Sequence, residues 1–152
     1  METIDLTLAP PRRWSDELGG IRWLPRIIDK ARAALAGRLG SYLYGQSPGD
    51  ENLLRILGTD YPTFTQIVKS APDDAAVLAA LEARFPEGVA RARRWTSRPL
   101  PPVFRPLTWM LDFDDGYIDG PLAPVRAPIR ALYGLVAGGL RAVRKNAAKE
   151  AL

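Results

Sequence analysis

The chain has 152 residues, 47% of them hydrophobic and 25% charged, with a net charge of +4; these are the proportions of one ordinary globular domain that buries a core without covalent staples. It contains neither cysteine nor histidine. That excludes disulfides, thiolate nucleophiles and zinc–sulfur or iron–sulfur sites, and removes the commonest general base and transition-metal ligand.

Catalysis would therefore fall to Asp, Glu, Lys, Tyr, Arg, Ser or Thr, and neither a metal nor a cofactor is expected. Met1 to Leu6 carries early acids and no apolar signal region. The strongest uncharged apolar run, Ala131 to Leu140, is far shorter than the ~20 residues a membrane-spanning helix needs. A cytoplasmic location follows by default.

Residues 1–23 read as an extended arm, because Pro10-Pro11 fits neither a helix interior nor a central strand and Leu18-Gly19-Gly20 signals a turn. A helix starts at Leu24, with Pro25 at the first helical position, where its missing N–H costs nothing. Leu24, Ile27, Ile28, Ala31 and Leu35 form one apolar stripe. Arg26, Asp29, Lys30 and Ala33 take the opposite face, and Gly37 is a natural stop.

Ser41-Tyr42-Leu43-Tyr44 reads equally as a short strand or an extended link. Asp50 is placed as the cap of a helix through Leu57, closed by Gly58. Thr63-Phe64-Thr65-Gln66 fits a capping box opening a helix to about Ser70. Asp73 caps the next helix, in which Val77, Leu78, Leu81 and Phe85 face a core. Pro86 ends it, and Glu87 to Trp95 forms another short, arginine-studded helix.

Arg98-Pro99-Leu100-Pro101-Pro102 is a stiff link with polyproline character. Leu107 to Phe113 is apolar, and Asp112 to Gly120 is an acidic turn region. From about Val125 to the end, Val125, Ile129, Leu132, Val136, Leu140 and Val143 share one helical face. Arg126, Arg130, Arg141, Arg144, Lys145 and Lys149 lie on the other, and Gly134, Gly138 and Gly139 interrupt the pattern. Short helices joined by Gly, Pro and Asp loops predict an all-α class: a compact multi-helix domain with an extended N-terminal arm and room for a minor short β pair near Tyr42–Tyr44. We read residues 1–152 as a single domain, with a core over 4–85, a Pro-rich connection over 99–106 and a C-terminal helical extension over 107–152.

The most distinctive stretch is Leu24-Pro25-Arg26-Ile27-Ile28-Asp29-Lys30-Ala31-Arg32-Ala33. It is preceded by Asp5-Leu6-Thr7 and Leu18-Gly19-Gly20, and followed by Gly40, Tyr42, Tyr44, Asp50, Leu57 and Gly58. Over about residues 4–85 this pattern resembles the bacterial domain family DUF5069, a family of unknown function. The family form often carries a histidine between the two tyrosines and a cysteine soon after. Leu43 and Ser47 stand here instead, which argues against an essential metal or thiol site at that place. The resemblance implies no activity.

Three functional readings stay open. Arg26, Asp29 and Lys30, with Tyr42 and Tyr44 nearby, suit an anion-binding helix face of a small binding module; a structural ion network docking the arm is the plainer alternative. A metal-independent enzyme would use Lys30, Asp29 or a tyrosine, with Lys30 desolvated. A nucleic-acid binder would use Arg91, Arg93, Arg94 and Arg98 with Trp95, within a block from Arg84 to Arg105 that holds six arginines against Glu87 alone. The carboxylates of residues 112–119 are equally able to meet that block.

The amphipathic C-terminal segment fits core docking, self-association, a protein partner, or a membrane or nucleic-acid surface. Asp112 to Asp119 imitates a calcium loop poorly, because Leu111, Phe113 and Leu122 fall on ligand positions. Gly37-Arg38-Leu39-Gly40 matches an RNA-binding GxxG only as a string, since no helix follows it. No phosphate-binding loop, dinucleotide fingerprint or nucleophile elbow occurs.

Overall fold

A computed structural model describes residues 4–118, 121, 123–126 and 128. The amphipathic segment read from about Val125 onward lies, beyond its first residues, outside the described residues. The fold is all-α: among the described residues there are six α-helices and one two-stranded antiparallel pair. None of these helices is long and apolar enough to cross a membrane.

The β pair is formed by β1 (Glu17–Leu18) and β2 (Ile21–Arg22), with Leu18 opposite Ile21 and Glu17 opposite Arg22. Gly19 and Gly20 link them, both at positive φ (57° and 74°). Two successive left-handed residues make the tight hairpin turn that matches strand twist, and glycine reaches that geometry without strain. This corrects the placement near Tyr42–Tyr44, which is irregular chain without strand.

The helices are α1 (Leu24–Leu35), α2 (Pro48–Leu57), α3 (Tyr61–Ser70), α4 (Asp74–Arg84), α5 (Pro86–Thr96) and α6 (Arg105–Asp114). Four-residue-spaced apolar positions and N-terminal prolines account for most of them. Two expected caps are corrected. The cap of α2 is Ser47, with Pro48 and Asp50 both in the first turn and the Asp50 carboxylate drawn into the protein. The cap of α3 is Asp60, which accepts from the Thr63 N–H at 2.9 Å, so the box starting at Thr63 does not form. Asp73 does cap α4, accepting from the Ala76 N–H at 2.8 Å.

The core centres on α1. Leu24, Ile27, Ile28 and Ala31 are fully buried with Leu53, Phe64, Val77 and Leu81. α2 lies on α5 so closely that a Cβ on Gly88 would stand 1.9 Å from the Leu57 carbonyl oxygen. A second, smaller cluster of Leu6, Ala33 and Tyr42 pins the N-terminal arm to the far side of α1. Consequently α1 is buried on nearly every side, and only Leu35 of the expected stripe is exposed.

α6 is different. Val103 and Phe104 before it, and Leu107, Trp109 and Met110 within it, are all exposed. Burial begins only at its C-terminal end, with Asp112, Phe113 and Asp115.

Candidate functional site

The charged face of α1 does not look outward. Arg26, Asp29 and Lys30 have relative exposures of 4%, 3% and 3%, and each meets a partner from elsewhere in the chain. Arg26 holds Asp115 in a two-pronged contact, Nη1 to Oδ2 at 2.5 Å and Nη2 to Oδ1 at 3.2 Å. Lys30 Nζ lies 2.5 Å from Asp50 Oδ2, and the Trp23 indole N–H donates to the other Asp50 oxygen at 2.8 Å. Asp29 accepts from the arm, taking the Arg12 guanidinium and backbone N–H together.

The network continues outward. Arg12 also reaches Asp74 at 2.6 Å, which Arg32 contacts at 2.6 Å from α1. Arg13 pairs with Asp112 at 2.6 Å. Of the alternatives the sequence left open, Asp112 and Asp115 pair with Arg13 and Arg26 and not with the Arg84–Arg105 block. These carboxylates end α6 against the arm, whereas the block runs from the end of α4 through α5 to Arg105 at the start of α6. Among the described residues no cluster of acidic groups is arranged to hold a metal ion.

Burial sets the electrostatics. Desolvation pulls the Lys30 ammonium below its ordinary pKa, against the opposing pull of Asp50. Arg26 is desolvated too, but the hydrogen bonds and charge of Asp115 outweigh that and raise it. Two rings flank the Arg26 guanidinium, Trp23 at 5.8 Å and Tyr42 at 5.9 Å, a spacing at which an aromatic face attracts a cation. Tyr44 lies apart from this group: its hydroxyl meets the Thr65 hydroxyl at 2.6 Å and its ring stands edge-on to Tyr61 at 5.2 Å. Burial pushes the Tyr44 phenol up to about 12.

Two open depressions flank this interior. One, of about 700 Å³, runs beside the arm and is lined by Arg12, Asp29, Arg32, Asp74 and Tyr117 among others. The other, of about 380 Å³, lies between α2 and α5 and is lined by Arg55, Ile56, Arg91, Arg94, Trp95 and Arg98. Neither is lined by Lys30.

In the second depression the charge is lopsided. All four arginines are exposed. Arg91 has Glu87 no nearer than 3.9 Å and spends its Nε on the Ile56 carbonyl. Arg55 bonds the neutral Asn52 amide oxygen at 2.7 Å. Among the described residues no carboxylate comes within ion-pair distance of Arg55, Arg94 or Arg98. Trp95 sits half-buried in the wall, with the Arg22 guanidinium 5.7 Å from its ring.

Of the residues singled out in the sequence, Arg91, Arg94, Trp95 and Arg98 converge here. Arg93 does not, because it points to the hairpin side, donating to the Gly19 carbonyl at 2.8 Å and pairing with Glu82. Arg55 was missed, although its exposed place in the last turn of α2 and the contact of α2 with α5 bring it in. Asp115 and Asp112 had no local signal, since their partners lie 89 and 99 residues away.

Compared with known proteins, residues 9–98 match one family model, described as "Domain of unknown function (DUF5069)". No curated protein matches the chain.

Proposed function

The chain belongs to the DUF5069 family, whose description names no activity, and on its own geometry we propose that it is a binding module for single-stranded nucleic acid. The ligand lies in the groove between α2 and α5. The observation that carries this reading is the ring of Arg55, Arg91, Arg94 and Arg98 around Trp95, with one distant carboxylate among the described residues to offset it.

Guanidinium groups without acidic partners are donors left over for phosphate. A half-exposed indole among them offers a base a stacking surface, worth about 1–3 kcal/mol per base in such sites. Arg91 and Arg94 lie one turn apart on α5 and Arg98 follows just past the end of that helix, lining the same groove, so a strand lying along it meets them in succession. Unpaired bases reach a tryptophan wall that the stacked bases of a duplex do not.

Fluorescence anisotropy with a short single-stranded oligonucleotide tests the reading. Binding should weaken linearly in log–log terms with salt, at roughly −0.7 per phosphate contacted. Arg94→Ala and Arg98→Ala should each weaken it, and Arg93→Ala should leave it unchanged. No binding at low salt, or an Arg93→Ala loss equal to that of Arg94→Ala, would remove the proposal.

A further inference from the structure

We infer that Arg26, flanked by Trp23 and Tyr42 and backed by Lys30, is an oxyanion site which Asp115 fills as an internal ligand, and that a carboxylate or phosphate group of a separate molecule takes it when residues 112–117 lift away. This site is distinct from the groove between α2 and α5.

Four observations meet at this point. The contact has the form of ligand recognition: two prongs of one guanidinium on two oxygens, both side chains almost wholly buried, at 4% and 1%. Planar guanidinium matches carboxylate and phosphate equally well in this geometry. Second, the site has capacity to spare. Arg26 Nε is buried with no hydrogen-bond partner among the described residues, so an anion with more acceptor oxygens than Asp115 would find a further donor.

Third, the segment that carries the occupant has few anchors. α6 reaches the body only at its C-terminal end, and the apolar side chains of its first turns face solvent. Within residues 112–117 Phe113 is buried, and the other ties are polar. Arg13, 41% exposed, pairs with Asp112, and the Tyr117 hydroxyl donates to the Pro11 carbonyl at 2.9 Å. Segments with few buried apolar contacts open at the lowest free energy in a fold.

Fourth, the site and its occupant come from different parts of the chain. Trp23, Arg26, Lys30, Tyr42 and Asp50 all fall within the residues that match the family, whereas Asp112, Asp115 and Tyr117 lie beyond residue 98. Within the matched part, Lys30 is balanced by Asp50 and Arg26 has no carboxylate of its own. Without Asp115 the pocket carries one uncompensated buried cation, which an oxyanion neutralises.

The test is thermal melting of Asp115→Ala and Asp115→Asn beside the unmodified protein, titrated with sodium acetate or inorganic phosphate against sodium chloride at matched ionic strength. Both variants should melt lower in chloride. Asp115→Ala should regain most of the loss with acetate or phosphate, saturably, while the unmodified protein shifts no more than in chloride. The anion giving the larger regain identifies the ligand class. If Asp115→Ala does not fold in chloride, its refolding yield in acetate against chloride reads the same effect. No gain over chloride in either variant, or an equal gain in the unmodified protein, overturns the inference.

Discussion

The Arg12 side chain grips the Asp29 carboxylate, with its Nε 3.0 and 3.1 Å from the two oxygens and its Nη2 2.6 Å from one of them, while the Arg12 backbone N–H donates to the same group at 2.8 Å. Side chain and main chain of one arm residue therefore dock on one carboxylate of α1. The two partners are unequally placed, Arg12 being 38% exposed and Asp29 4%. Arg12→Ala strands a buried carboxylate and should cost about 3–5 kcal/mol. Asp29→Asn leaves Arg12 free to turn to water or Asp74 and should cost about 1–3 kcal/mol. Chemical denaturation of both variants measures the difference; equal costs would mean that the asymmetry of burial has no energetic weight.

The Lys30–Asp50 pair is deeper still, at 4% and 0% exposure. Lys30→Met leaves Asp50 with the Trp23 indole N–H as its remaining donor, and about 3–5 kcal/mol should be lost. Replacing both groups by apolar residues, Lys30→Met with Asp50→Leu, should recover much of that loss, since two desolvation costs vanish together. A double-mutant cycle of unfolding free energies checks this. A Lys30→Met protein that melts near the unmodified one would return Lys30 to the list of ligand groups.

Gly88 sets the distance between the helices that frame the arginine groove. Its absent Cβ would press on the Leu57 backbone, which has no flexible end to yield. Gly88→Ala should cost at least about 1–3 kcal/mol, as overpacking does, despite the better helix propensity of alanine. The same variant should also weaken oligonucleotide binding, because Arg55 sits on α2 and Arg91, Arg94 and Arg98 follow Gly88 in sequence. Melting temperature and anisotropy measured on one sample test both effects.

Alkaline stability follows from Tyr44. Its folded-state pKa, about 12, lies above the unfolded value near 10, so the stabilisation is complete below about pH 10 and is lost as the pH rises towards 12. Tyr61 is shifted in the same direction by burial. Lys30 is shifted downward, so below its ordinary pKa its deprotonation opposes the trend. Denaturation between pH 9 and 12 should show a decline that is smaller in Tyr44→Phe, with phenolate absorbance reporting the titration.

Local chemistry was legible and distant pairing was not. Pro25, Gly37, Gly58, Asp73 and Pro86 marked element ends because each acts through its own backbone geometry or a neighbour within four residues. Asp50 was misread for a related reason: Pro48 moves the cap to Ser47, and nothing nearby shows that Lys30 claims the carboxylate. The Arg26, Asp29 and Lys30 face was recognised as a unit. Its burial depends on Arg12, Asp50 and Asp115, which helical periodicity cannot connect to it. In the groove, Arg91, Arg93, Arg94 and Arg98 were legible as one basic group beside Trp95, and Arg93 is separated from the rest by its contact with Glu82 and the hairpin.

The depth at which each charge sits has a further consequence. At physiological ionic strength the screening length in water is about 8 Å, and buried pairs feel it little. The pairs of Arg26 with Asp115 and Lys30 with Asp50 lie beneath the surface, whereas Arg55, Arg91, Arg94 and Arg98 stand in solvent. Dissolved salt therefore dims the outer field while leaving the inner one nearly constant. If the groove takes an oligonucleotide as proposed, a rise in ambient electrolyte should weaken that binding well before it weakens the fold, and dilution should restore it.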